Sequence, residues 1–184
     1  FLPNNRVTDN EDIIDIKKMY NIKNDYIFYP AQFWAHKNHI YILKAIKILR
    51  EKKNIDIDVV FSGSDRGNLA YILNKAKQFG VDDLIHYVGF VPNNQIPYLY
   101  KQSLSLVMPT YLGPTNIPPL EAFFYKTPVC YSDKPSFREQ VRDAVFYIDL
   151  KDPHSLVETI IKIKNNKELV NYKIHKGMEI LSSW

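Results

Sequence analysis

The sequence predicts an α/β domain built on a parallel sheet of about six strands with helices on both faces. Three observations predict it. Short apolar runs alternate about six times with segments of helical spacing, the links between them are short, and Gly, Pro and Asn punctuate those links.

The first strand is Tyr26–Pro30, an aromatic and β-branched run that follows the polar stretch 21–25 and stops at Pro30. A helix is expected from Asn38 to about Glu51, because Ile42, Ala45, Ile46 and Leu49 fall on one face and Lys44, Lys47 and Arg50 on the other. Ile55–Phe61 reads as the second strand, ending in Ser62-Gly63-Ser64. Leu69, Ile72, Leu73, Ala76 and Phe79 mark the next helix, with Gly80 placed as a left-handed C-cap. Leu84–Val88 is the third strand, Asn93–Gln102 a short amphipathic helix, and Leu104–Met108 the fourth strand. After the loop 109–117 a helix opens at Pro118-Pro119, where missing amide hydrogens cost nothing, and runs to about Tyr125. Thr127–Tyr131 and Val145–Ile148 supply two more strands, joined by a polar connector carrying Pro135, Arg138 and Glu139, and two helices follow.

The bulk properties narrow the function. Of 184 residues 46% are hydrophobic, and 24 basic against 20 acidic side chains give a net charge of +4, too small to make nucleic acid the expected partner. Cys130 is the single cysteine, expected as a buried thiol in a reducing compartment. No apolar run approaches the roughly 18 residues that span a bilayer. The expected location is therefore cytoplasmic, with peripheral contact to the inner face of a membrane open. There is no Walker A loop, no Gly-x-Gly-x-x-Gly and no metal-ligand cluster, and the five histidines are scattered. These absences argue against an NTPase, a dehydrogenase and a zinc enzyme.

A parallel sheet of this kind binds ligands at the carboxyl ends of its strands. The loops there include 31–38, 63–67, 89–92 and 111–121. In the last of these, the amides of Thr115, Asn116 and Ile117 precede a helix whose positive end suits phosphate oxygens, while Pro114, Pro118 and Pro119 shape the loop without donating. Glu121, in the first turn, could accept hydrogen bonds from the vicinal hydroxyls of a ribose, or could merely complement the dipole of its own helix.

The stretch Gly113-Pro114-Thr115-Asn116-Ile117-Pro118-Pro119-Leu120-Glu121-Ala122 resembles the signature of the retaining glycosyltransferases with two Rossmann-like domains, the GT-B fold and family GT4. The resemblance covers the chain from about Tyr26 to the last helices and implies that it is one half of a GT-B fold, the donor-binding half. Residues 1–20 then form an interdomain connector with a first helix, and 21–184 the donor domain, with an acceptor-binding domain preceding it. Glu121 matches the second of two motif glutamates, the one that holds the ribose. Gly113 stands where the first would contact the donor sugar.

In Tyr29-Pro30-Ala31-Gln32-Phe33-Trp34-Ala35-His36-Lys37-Asn38-His39 the resemblance implies a diphosphate clamp, with Lys37 as its lysine, Asn38 beside it and Gln32 where many members carry arginine. Lys37 would offset charge growing on the leaving group. Trp34 and Phe33 are expected in core or interdomain packing. Gly63 would let main chain approach the ligand, and Gly89-Phe90-Val91 matches a loop that reads the nucleobase, against the alternative that Phe90 is a buried aromatic closing the sheet. What the resemblance implies is metal-independent transfer of a hexosyl group, with no cofactor, from a UDP-, GDP- or ADP-sugar to a glycan or lipid-linked acceptor, as in polysaccharide biosynthesis. The isolated chain would be inactive. The alternative is a catalytically silent nucleotide-sugar-binding module or regulatory subunit, marked by Gly113 and Gln32.

Overall fold

A computed structural model describes residues 14–113 and 116–183. It has six strands, β1 (Tyr26–Pro30), β2 (Asp58–Ser62), β3 (Ile85–Gly89), β4 (Ser105–Met108), β5 (Val129–Ser132) and β6 (Phe146–Ile148). They form one sheet in the order β3-β2-β1-β4-β5-β6, and every adjacent pair is parallel. The helices are α1 (Ile16–Met19), α2 (His39–Ile48), α3 (Leu69–Phe79), α4 (Ile96–Lys101), α5 (Pro118–Phe124), α6 (Pro135–Val141), α7 (Pro153–Asn165) and α8 (Lys167–Ser182). This is the Rossmann-like fold expected.

The order of strands locates the site. From β1 the chain moves outward through β2 to β3, returns by way of α4 to β4 on the other flank of β1, and moves outward again to β6. Right-handed crossovers then place α2 and α3 on one face and α5 and α6 on the other. Beyond the carboxyl ends of β1 and β4, the departing chains turn to opposite faces and leave a crevice. α7 lies against α2, and α8 against α5, which closes the two faces.

Burial on both faces explains why the strands read as unbroken apolar runs: Ile27, Val59, Val60, Leu106, Val107 and Val129 are fully inaccessible. Cys130 is buried as expected, and burial pushes its thiol up to about 12.

Several boundaries differ from the sequence expectation for local reasons. β2 begins at Asp58 rather than Ile55, because the Asn54 amide closes a wide π turn over Leu49–Lys53 on the Leu49 carbonyl and the Ile55 amide turns back to the same carbonyl. α4 begins at Ile96, since Asn93–Gln95 form a turn closed by the Gln95 amide on the Pro92 carbonyl. The expected polar connector after β5 is a correction: it contains α6, which buries Phe137 and Val141. Pro135 in the first turn and that apolar pair one turn apart were the signals for it. Of the connector expected at 1–20, residues 1–13 lie outside the described residues; Ile16–Met19 form α1, capped by the Asp15 carboxylate.

Candidate functional site

At the switch point lies an open cleft of about 360 Å³, lined by Pro30 and Ala31 from the end of β1, Met108 from the end of β4, Gln32, Trp34, His36, Lys37 and Asn116 from the loops, and Pro118 from the start of α5. Three of the residues expected to hold a ligand, Gln32, Lys37 and Asn116, thus meet in one place.

The β1 rim is fixed by its own backbone. Beyond Pro30, the Ala31 amide donates to the Ser62 carbonyl and the Phe33 amide to the Ser64 carbonyl, so the loops after β1 and β2 run side by side. Gly63 makes this possible. Its φ is +128°, and a Cβ there would lie 2.6 Å from the Ala31 carbonyl oxygen. It packs against protein backbone, outside the cleft lining.

Phe33 is in the core as expected, stacked on the buried His39 ring at 4.2 Å and edge-on to Phe61. Burial holds the His39 imidazole down at about 3, with the Lys37 charge adding to the effect, so this histidine is neutral. Trp34 is 44% exposed, hence not in the core, and lines the cleft.

A single 3-10 turn, Ala35–Lys37, ends at Asn38 in the left-handed region with φ 59°. The Tyr29 hydroxyl donates to the Lys37 carbonyl at 2.9 Å and the Tyr111 amide to the His36 carbonyl at 2.9 Å, which pins the turn from below and from the β4 loop. Asn38 serves here through its backbone. Its side chain is buried, outside the cleft lining, and its Nδ2 has no partner among the described residues. Lys37 is half-buried and burial lowers its pKa. It has no carboxylate partner among the described residues, so an anion entering the cleft would meet an uncompensated ammonium.

Gln32 has a determined orientation. Its Oε1 accepts from Trp34 Nε1 at 3.0 Å and from Arg66 Nε at 3.3 Å. Both neighbours are donors only, so the amide nitrogen of Gln32 is the end left to a ligand.

The β4 rim is built differently. Asn116 is buried; its Nδ2 donates to the Tyr131 hydroxyl and to the Gly113 carbonyl at 3.3 Å, and its own carbonyl accepts from Gln140 Nε2 at 2.8 Å. The space at Gly113 is taken by this side chain, because a Cβ on Gly113 would overlap Asn116 Oδ1. Thr115 lies outside the described residues. Ile117 is exposed and caps α5, accepting the Leu120 and Glu121 amides on its carbonyl.

Glu121, one turn beyond Pro118, is half-buried and outside the cleft lining. Its Oε2 accepts from the Tyr100 hydroxyl at 2.8 Å, and burial together with that carboxylate holds the Tyr100 phenol well above its usual range.

At the sheet edge Phe90 is 87% exposed, which excludes the buried-aromatic alternative, while Val91 is buried. Neither reaches the cleft lining. No group of side chains able to hold a metal ion occurs among the described residues. Arg66 is the site neighbour that sequence reasoning missed; a single arginine in a turn carries no periodic or motif signal.

A Rossmann-like domain with a cation-bearing crevice at its switch point has the architecture in which α/β proteins bind ligands beyond the carboxyl ends of their strands. Comparison with known proteins is more specific: the signature of glycosyl transferases group 1 matches residues 11–179, and the chain belongs to that family. It is 25% identical to the O-antigen chain mannosyltransferase RfbU of Salmonella typhimurium across 88% of this chain and 47% of that protein. The chain spans about half the length of the curated relatives it matches.

Among solved structures, the C-terminal domain of a glycosyl transferase group 1 family protein from Francisella tularensis superposes with a TM-score of 0.74 at 19% identity, covering 90% of this chain and 89% of that one. HepE from Anabaena, solved in complex with UDP and glucose, gives a TM-score of 0.78 at 13% identity, covering 91% of this chain and 46% of that one. The fold is therefore that of GT-B glycosyltransferases. No helix among the described residues is long and apolar enough to cross a membrane.

Proposed function

We propose that this chain is the donor-binding domain of a retaining glycosyltransferase that takes a nucleotide-diphospho-sugar into the cleft between β1 and β4. The observation that carries the reading is the meeting of Lys37, Gln32 and Asn116 at the switch point, with the lysine half-buried and unpaired among the described residues. As the bond between the anomeric carbon and the leaving phosphate oxygen breaks, negative charge grows on the diphosphate. Lys37 stabilises it electrostatically and Gln32 donates a neutral hydrogen bond. Charge handled this way requires no divalent metal.

The main chain at 115–117 supplies further donors on this reading, and Glu121, held by Tyr100, accepts from the ribose. Phe90 and Val91 stand at the nucleobase end. The acceptor, a glycan or lipid-linked chain, is bound by a preceding domain, so the 184 residues bind donor and transfer nothing. The relatives named for O-antigen and capsular polysaccharide biosynthesis favour a hexosyl group moved within surface-polysaccharide assembly; on this reading transfer takes place in the cytoplasm, against the inner face of the membrane.

The test is calorimetric titration with UDP, GDP and ADP. Lys37→Ala is expected to weaken the preferred diphosphate by about ten- to a hundredfold, and Glu121→Ala by roughly tenfold. Affinity unaffected by either substitution would leave only the fold. One observation favours a catalytically silent module: the place of the first motif glutamate is filled by the Asn116 side chain. Transfer by the longer enzyme decides between the two.

A further inference from the structure

We infer that Arg66, from the loop after β2, supplies the second positive charge of the diphosphate site, standing in for the charge that Gln32 lacks. The inference rests on the donor-cleft reading and adds a residue to it.

The local sequence fixes where Arg66 sits. Asp65 Oδ1 accepts the amides of Gly67, Asn68 and Leu69 at 2.8, 3.2 and 3.1 Å, folding the turn tightly around the carboxylate. Asp65 also pairs across to Phe33 in an isolated parallel bridge, so the turn is tied to the β1 loop and not to solvent alone. Arg66 is thereby delivered beside Gln32, with Nε donating to Gln32 Oε1 and the guanidinium carbon 5.7 Å from the Trp34 ring centroid. Both of its partners line the cleft.

A surface arginine usually samples many conformers. This one is held by a hydrogen bond and by a cation–π contact with Trp34, so less freedom is lost when its remaining N–H groups meet an anion. Those groups make no hydrogen bond or ion pair to protein among the described residues. Two uncompensated cations therefore flank Gln32, the half-buried Lys37 within the cleft and Arg66 at its mouth. A diphosphate carries enough negative charge, spread over two groups, to neutralise both.

The experiment titrates the chain with UDP, GDP and ADP, with the corresponding monophosphates and nucleosides, for the wild type and for Arg66→Ala, Lys37→Ala and Arg66→Ala combined with Gln32→Arg. Arg66→Ala is expected to weaken the preferred diphosphate by about five- to tenfold and its nucleoside by less than about twofold. Gln32→Arg is expected to restore most of that loss. Arg66 is exposed, so the thermal midpoint should stay within a few degrees of wild type.

Diphosphate affinity unchanged in Arg66→Ala but lost in Lys37→Ala would overturn the inference and leave the cleft reading standing. Equal weakening of nucleoside and diphosphate would also overturn it, since Arg66 would then only brace Trp34. No measurable binding of any diphosphate by the wild type would bring down the cleft reading and this inference with it.

Discussion

On the β1 side, Lys37 and Gln32 line the cleft with Arg66 beside Gln32, each keeping donors unspent on protein, and backbone hydrogen bonds between neighbouring loops hold the segments that carry them. On the β4 side the polar side chains are spent on the protein: Asn116 on Tyr131 and Gly113, Gln140 on the Asn116 carbonyl, Glu121 on Tyr100. The difference separates two ways of building a rim. Side chains that are held by main chain remain available for a ligand, whereas side chains that hold the main chain leave backbone groups and empty space for it. Charge for an anionic donor is therefore concentrated on the β1 side, and shape on the β4 side.

The contrast can be broken most severely at Gly63. Alanine there combines a φ reserved for glycine with a Cβ placed 2.6 Å from the Ala31 oxygen, so the two loops must separate. Gly63→Ala is expected to lower the unfolding free energy by about 2–4 kcal/mol, read from urea denaturation, and to weaken nucleotide binding as the rim opens. A loss under about 0.5 kcal/mol would show that the β1 rim does not depend on that contact.

On the opposite side the same kind of change should cost less. Gly113→Ala meets a side chain, not backbone, and Asn116 can swing away at the expense of its bond to Tyr131. The expected loss is about 1–2 kcal/mol by the same measurement, because a buried hydrogen bond is broken while the fold stays intact. If Gly113→Ala proves the more damaging of the two, the assignment of rigidity to the β1 rim is reversed.

The smallest effect is on pH dependence, and it sharpens the electrostatic half of the comparison. Burial lowers the Lys37 pKa from the ordinary lysine range, so its proton is released at lower pH in the folded chain than in the unfolded one. Charged Lys37 consequently costs some stability below the lysine range, a cost relieved as pH rises through its lowered pKa. Binding of a diphosphate runs the other way, weakening as pH rises and the ammonium is lost. Lys37→Arg, which stays charged, is expected to flatten this alkaline decline in titrations across the same pH range.

Much of the architecture was legible because it follows from periodicity. β1 and α3 have the limits read from the sequence, and Gly80 takes the left-handed cap expected of it. Periodicity failed at α6, where the four polar residues Ser136, Arg138, Glu139 and Gln140 outnumber the two apolar ones that anchor it, and at β2, whose start is set by a hydrogen bond to Leu49 that no local pattern announces. For the site, chain order placed Lys37, Gln32 and Asn116 together. It could not show that Gly63 faces protein, that Asn38 is buried or that Glu121 is engaged by Tyr100, since each depends on a partner between about 20 and 80 residues away or on a single backbone angle. Arg66 was invisible for the same reason.

The most direct test is a crystal structure of the chain with the nucleoside diphosphate it binds best. The account predicts the pyrophosphate in the crevice beyond β1 and β4, with Lys37 Nζ and the Gln32 amide nitrogen within hydrogen-bond distance of its oxygens. A nucleotide seated elsewhere, or one in that crevice with Lys37 turned away from the phosphates, would contradict it.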